Sequence, residues 1–188
     1  MVFNDIDQVH RHSLDEYHRL IESGGLNEDS HVELIDGLVL DMSPKTRGHE
    51  SAIAWLAQRI IRALEPARFF VGVSSALTLD RSEPEPDIFV ARSDGPRPYH
   101  HGTALLVVEV AVSSLRHDLI VKHAVYARAR VPEYWVVDID GERVVRHLDP
   151  QGEAYQRIDE LRAGDELIAS AVELPRFSLR ELFAAASA

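Results

Sequence analysis

Residues 104–110 read Ala-Leu-Leu-Val-Val-Glu-Val, an almost unbroken apolar run of the kind found in a strand covered on both faces. Such a strand belongs near the middle of a sheet with layers packed on either side, which favours an α/β domain over a bundle. The helices for those layers are legible elsewhere. From His49 to Leu64, Ile53, Leu56, Ala57, Ile60, Ile61 and Leu64 recur on one helical face, and Pro66 ends the run. A second helix is expected from about Leu115 to Arg130, stopped by Pro132, with Leu115, Leu119, Lys122, Tyr126 and Ala129 along one stripe.

Shorter elements surround these. Ser13 and Glu16 form a capping-box pattern for a helix over Leu14 to Ser23, closed by Gly24-Gly25. Asp36-Gly37 between two strand-like runs predicts a tight hairpin, and Asp140-Gly141 predicts another. Further strands are expected at Phe69–Val73, Ala76–Leu79 and Asp87–Ala91, and a brief last helix is capped by Ser178 and Glu181. A looser loop with Pro96, Pro98 and His100-His101 spans Ser93 to Gly102. With neither repeats nor a linker, residues 1–188 read as one mixed α/β domain.

The chain has no cysteine, which removes disulfides, thiol nucleophiles and thiolate metal sites; any metal is left to carboxylates, carbonyls, His or water. No apolar run is long enough for a membrane span and the N-terminus lacks a signal-peptide pattern, so the expectation is a cytoplasmic protein. A net charge of −11 excludes a surface that grips phosphate backbones everywhere, so any nucleic-acid contact has to be local. Residues 116–130, with Arg116, Lys122, Arg128 and Arg130, offer such a patch. Eighteen basic residues are Arg and two are Lys, so Lys45 and Lys122 stand out against the composition.

Pro84-Glu-Pro-Asp87 opens one strand and Glu109 sits at the far end of the apolar run. Buried carboxylates on such strands are costly, on the order of several kcal/mol, unless a cation compensates; the alternative is wet or Arg-paired strand ends. Lys122 should point inward from its stripe, or else snorkel and pair with Asp118. Glu33 shares a strand side with Ile35, a mild anomaly that by itself suits a rim residue. His49 follows Gly48 at a helix start, where an anion would be favoured, although a surface His is the commoner case. His10-Arg-His12 and His100-His101 lack zinc-protease spacing and read as surface loops, and Ser113-Ser114 read as caps.

Taken in order, Glu33, Pro86-Asp87, Glu109 and Lys122 resemble the PD-(D/E)XK nuclease superfamily, and more closely its Uma-two family of restriction endonucleases. The segments carrying the resemblance include Val32-Glu-Leu-Ile-Asp-Gly37, Met42-Ser-Pro44, His49, Val107-Val-Glu-Val110, Asp118 to Lys122 and Val131-Pro-Glu-Tyr-Trp-Val-Val-Asp138. One position departs from the superfamily pattern: two residues after Glu109 stands Ala111, not Lys, and Lys122 on the following helix matches the family's displaced lysine. The resemblance implies a restriction-endonuclease-like mixed central sheet flanked by helices, with additional β-hairpins. It implies a metal-dependent endonuclease acting on DNA, with double-stranded DNA as partner and a homodimer to meet its two strands. Asp87, Glu109 and Glu33 would be metal ligands for Mg2+, or alternatively Mn2+, and Lys122 would orient the attacking water or stabilise transition-state charge. The competing class is a catalytically silent binding or scaffold protein on the same fold, which the acidic charge would suit.

Overall fold

The structure is a computed structural model and describes residues 9–93 and 104–188, so the expected loop around His100-His101 lies outside the described residues. The first helix, α1 (Leu14–Glu22), begins as expected: the Ser13 hydroxyl accepts from the Glu16 N–H and the Glu16 carboxylate accepts from the Ser13 N–H. Strands β1 (Val32–Ile35) and β2 (Leu38–Asp41) form the first hairpin. Asp36 and Gly37 have φ of 48° and 79°, the left-handed pair that a two-residue turn needs. Backbone bonds between Leu34 and Glu83 fasten this hairpin to the segment before Asp87.

Helix α2 (Arg47–Ala63) starts two residues earlier than the apolar periodicity suggests, because the Thr46 hydroxyl accepts the His49 N–H. Ile53, Leu56, Ala57 and Ile60 face the core, but Ile61 is 49% exposed; the buried stripe takes in Ala52 instead. Next come β3 (Phe69–Val73), β4 (Ile88–Arg92) and β5 (Ala104–Ala111). The strand expected at Ala76–Leu79 is absent. Leu77 and Leu79 donate N–H bonds to the carbonyls of Pro84 and Ser82, closing a tight loop, and Pro84 and Pro86 lack the N–H groups a ladder needs.

After β5, α3 (Leu115–His117), a π-helical turn (Asp118–Lys122) and α4 (His123–Arg128) follow head to tail where one regular helix was expected. The chain then forms β6 (Glu133–Asp138), β7 (Arg143–Gln151) and β8 (Ala154–Arg162), and closes with β9 (Glu166–Leu167), β10 (Phe177–Ser178) and α5 (Leu179–Ala186). The connection at Asp140-Gly141 spans residues 139–142, longer than a two-residue hairpin, because Asp138 accepts from the Gly141 N–H and the Arg143 guanidinium.

The main sheet runs β3-β4-β5-β6-β7-β8. Its pairs are antiparallel except β5 with β6, which are parallel and joined by the α3–α4 crossover. Alternation along β5 sends Leu106, Val108 and Val110 to the face covered by α2 and α5, and Val107 and Ala111 to the face covered by α4. Glu109 belongs to that second set, so it points at the crossover helix.

The Glu-Tyr-Trp-Val-Val-Asp run of β6 turns out to be architectural. Glu133, fully buried, accepts from Trp135 Nε1, Arg146 Nε and the N–H groups of Ser170 and Ala171, tying the C-terminal segment to the sheet. Glu133→Ala removes the acceptor of the Trp135 indole, two backbone amides and one bond of the half-buried Arg146, and about 2–4 kcal/mol of stability should be lost in urea titration. His147 offers a pH test. Burial, and then the nearby His123, hold it down to about 4 from an ordinary value of 6.5, so the unfolded chain protonates first. Its contribution is complete above about pH 6.5 and is lost as pH falls toward 4, by up to ~3 kcal/mol. Urea midpoints from pH 7 downward measure it, with His147→Phe expected to flatten the decline.

Candidate active site

Asp87 and Glu109 become neighbours through sheet register. Ile88 pairs with Val108 in the antiparallel β4/β5 ladder, so Asp87, one residue before β4, comes opposite Glu109 on the face that α4 covers. The Val110 N–H donates to Asp87 Oδ2 at 2.7 Å and fixes that carboxylate against the strand. Glu33 arrives from β1, whose hairpin is held by Glu83; the Glu85 N–H donates to Glu33 Oε2 at 3.3 Å. All three carboxylates are buried, and they line one cleft of about 350 Å3.

Lys122 enters from the crossover helix. Its Nζ lies 3.0 Å from Glu33 Oε2 and 3.0 Å from Glu109 Oε1, and Tyr126 donates its hydroxyl to the same Glu109 oxygen at 2.7 Å. The inward orientation is therefore observed, while Asp118, the partner expected if the lysine snorkelled, accepts from Ser114 Oγ at 2.6 Å. Burial disfavours the ammonium, but the charges of Glu109 and Glu33 more than offset it, so the Lys122 pKa is raised and the group stays protonated. Burial likewise pushes Glu33 up, yet the bond to His117 and the charge of Lys122 bring it below the usual range. Glu109 has no such rescue: burial drives its pKa well above the carboxylate range despite Lys122. Three buried carboxylates surround a single ammonium here, an arrangement that favours a further cation.

Two histidines join the cleft. His49, in the first turn of α2, places Nε2 3.2 Å from Asp87 Oδ2, and its buried Nδ1 has no hydrogen-bond partner. His117 places Nε2 3.6 Å from Glu33 Oε1. His117, Tyr126, Asp118 and Glu85 were not singled out from sequence as site residues. The available signal was the spacing Ser114, His117, Asp118, Lys122, which at i, i+3, i+4 and i+8 is the pattern of one helical face. The turn over Asp118–Lys122 is π-helical and holds one residue more than a regular α-helical turn. Ile120, 56% exposed, is a residue of that turn that the core does not need. Deleting it would turn the π-helical turn into a regular α-helical one and shift Asp118 against Lys122 without unwinding the crossover helix. The activity of the site is expected to fall ~100-fold with helical circular dichroism retained.

The bonds named above fall on Oδ2 of Asp87 and Oε1 of Glu109, leaving Oδ1 and Oε2 available to a ligand. Hard oxygen donors from two strands suit Mg2+, which takes few protein ligands and keeps its waters, and the adjacent imidazole is compatible with Mn2+. The donor set thus fits a small divalent cation. Glu33 is engaged by Lys122 and His117 and sits less freely. Among the described residues the one set of three potential ligands within 4.8 Å is His10, His12 and Glu16, at the surface before and on α1.

Known proteins bear on this arrangement. The sequence profile of the Uma2 family, described as "Putative restriction endonuclease", matches residues 14–180. The crystal structure of a putative nuclease belonging to DUF820 from Anabaena variabilis ATCC 29413 has a TM-score of 0.76, covering 93% of this chain and 98% of that one at 18% identity. At that identity the likeness speaks for the fold, and it bears out the layered α/β sheet with extra hairpins. The type IIG restriction endonuclease BpuSI is a looser match, with a TM-score of 0.43 and 19% identity over 81% of this chain and 17% of that one, and it carries no argument. No curated protein matches the chain.

Proposed function

Because the chain belongs to the Uma2 family of restriction-type endonucleases, we propose that it is a metal-dependent endonuclease hydrolysing phosphodiester bonds in double-stranded DNA. The observation that carries this reading is the Lys122 ammonium buried between Glu33 and Glu109, beside the Asp87–Glu109 carboxylate pair. In this reading Asp87, Glu109 and Glu33 would hold Mg2+ or Mn2+, Glu33 directly or through a metal-bound water. When bound, the cation would polarise a phosphoryl oxygen and lower the pKa of a water.

The chain's own groups have separable tasks. Lys122, kept protonated, cannot serve as a base; it donates hydrogen bonds to the attacking water or to the phosphoryl oxygen as charge develops there. Glu33 and Tyr126 hold that ammonium and Glu109 in place. His49 orients Asp87 through its Nε2 contact. Residues 1–188 act as one nuclease domain in the cytoplasm. Two copies pair so that both strands of a duplex meet a cleft.

Among the described residues no helix is long and apolar enough to cross a membrane. The test is incubation of supercoiled plasmid with the purified chain in Mg2+ or Mn2+. Nicked or linear product that disappears with chelator is the expected result; an intact plasmid under both metals would favour the silent scaffold.

A further inference from the structure

Beside the cleft lies a larger recess of about 850 Å3. Tyr17 and Ile21 of α1, Leu26, Val32 of β1, Met42 and Pro44 give it apolar and aromatic walls. It is continuous with the cleft, because Met42, Ser43, Lys45 and Glu85 line both. Lys45 stands on that shared wall with its Nζ 3.0 Å from Ser74 Oγ. The chain has only two lysines against eighteen arginines, and both line the cleft. Asn27, also in the recess, has Oδ1 occupied by the Asp29 N–H and the Ser30 hydroxyl, which leaves its amide Nδ2 to donate.

With a net charge of −11, phosphate contacts are confined to a local patch, so a strand threading this cleft gains from a second source of affinity. Stacking and burial of a base in an apolar pocket supply one that charge does not weaken. We propose that the recess receives one unstacked nucleobase of the DNA strand next to the phosphodiester in the cleft, with Lys45 on the phosphate between them. The inference rests on the nuclease reading and adds to it that the substrate is engaged with a nucleotide out of the duplex stack. Unpaired or mismatched positions should be favoured, since they cost least to extrude.

The test compares a fully paired duplex with the same duplex carrying a short unpaired bubble that contains 2-aminopurine, a base whose fluorescence rises on unstacking. Binding is read with the full chain in Ca2+, which takes oxygen ligands at longer distances than Mg2+. The bubble is expected to bind about tenfold tighter with a rise in fluorescence, and Leu26→Trp, which fills the recess, is expected to abolish that preference. Equal affinity for the two duplexes, unchanged fluorescence or binding of neither overturns the proposal, as does a folded Leu26→Trp chain that keeps the preference. If Leu26→Trp does not fold, the parental fluorescence comparison decides. A chain that captures the bubble yet leaves plasmid intact in Mg2+ keeps the recess and sinks the nuclease reading; one that cuts plasmid but ignores the bubble does the reverse.

Discussion

Lys122→Met should lower plasmid cleavage by about two to three powers of ten, the scale expected when one preorganised donor to a transition state is removed. The substitution keeps an unbranched stem that can still pack beside Tyr126, so the crossover helix should remain folded. It also leaves Glu33 and Glu109 without the cation that lies 3.0 Å from each. Breaking a buried pair costs up to about 3–5 kcal/mol, moderated here because Glu109, already shifted upward by burial, can take a proton. Cleavage rates should therefore be read beside a urea titration, with circular dichroism confirming the fold. Lys122→Arg should be no better, since a planar fork cannot replace a point charge lodged between two buried carboxylates. Near-parental cleavage by folded Lys122→Met would remove the strongest residue-level support for catalysis.

The second large effect concerns the cation. The Asp87→Ala, Glu109→Ala double variant should weaken Mn2+ binding at least ~100-fold in calorimetric titration, because it removes the two strand carboxylates proposed to hold the cation. Alanine at position 87 also deprives the buried Val110 N–H of its acceptor, a loss of about 1–3 kcal/mol that could blur the result. Asp87→Asn, which keeps a carbonyl oxygen there, separates the two effects: metal affinity should fall while stability stays near parental. Unaltered Mn2+ affinity in the double variant would place the metal elsewhere, with His10, His12 and Glu16 the next set to test.

Local sequence logic was enough for the elements whose causes are local. The Ser13–Glu16 capping box, the left-handed Asp36-Gly37 turn and the bounds of the strand Phe69–Val73 all follow from residues within a few positions of one another. It faltered where a distant partner decided. Leu77 and Leu79 look like strand residues, but Pro84 and Ser82 supply the carbonyls that bend them into a loop. Glu133 lies in a run that carries the family resemblance, yet its bonds are to Arg146, Ser170 and Ala171, which makes it a clamp for the fold.

The candidate site divides along the same line. Composition and periodicity alone marked Asp87, Glu109 and Lys122, because a carboxylate on an apolar strand and a lone lysine on a core-facing stripe are each expensive without a partner. That they are partners was decided by tertiary structure. The β4/β5 register sets Asp87 opposite Glu109, the strand alternation turns Glu109 toward the crossover helix, and that helix presents Lys122 to it. Tyr126 lay on the stripe with Lys122 and His117 beside Asp118, but their partners Glu109 and Glu33 stand 17 and 84 positions away and leave no local pattern. Sequence determined which residues could not be comfortable alone; the fold determined which of them share a cleft, because burial cost is a property of one side chain and its relief is a property of a pair.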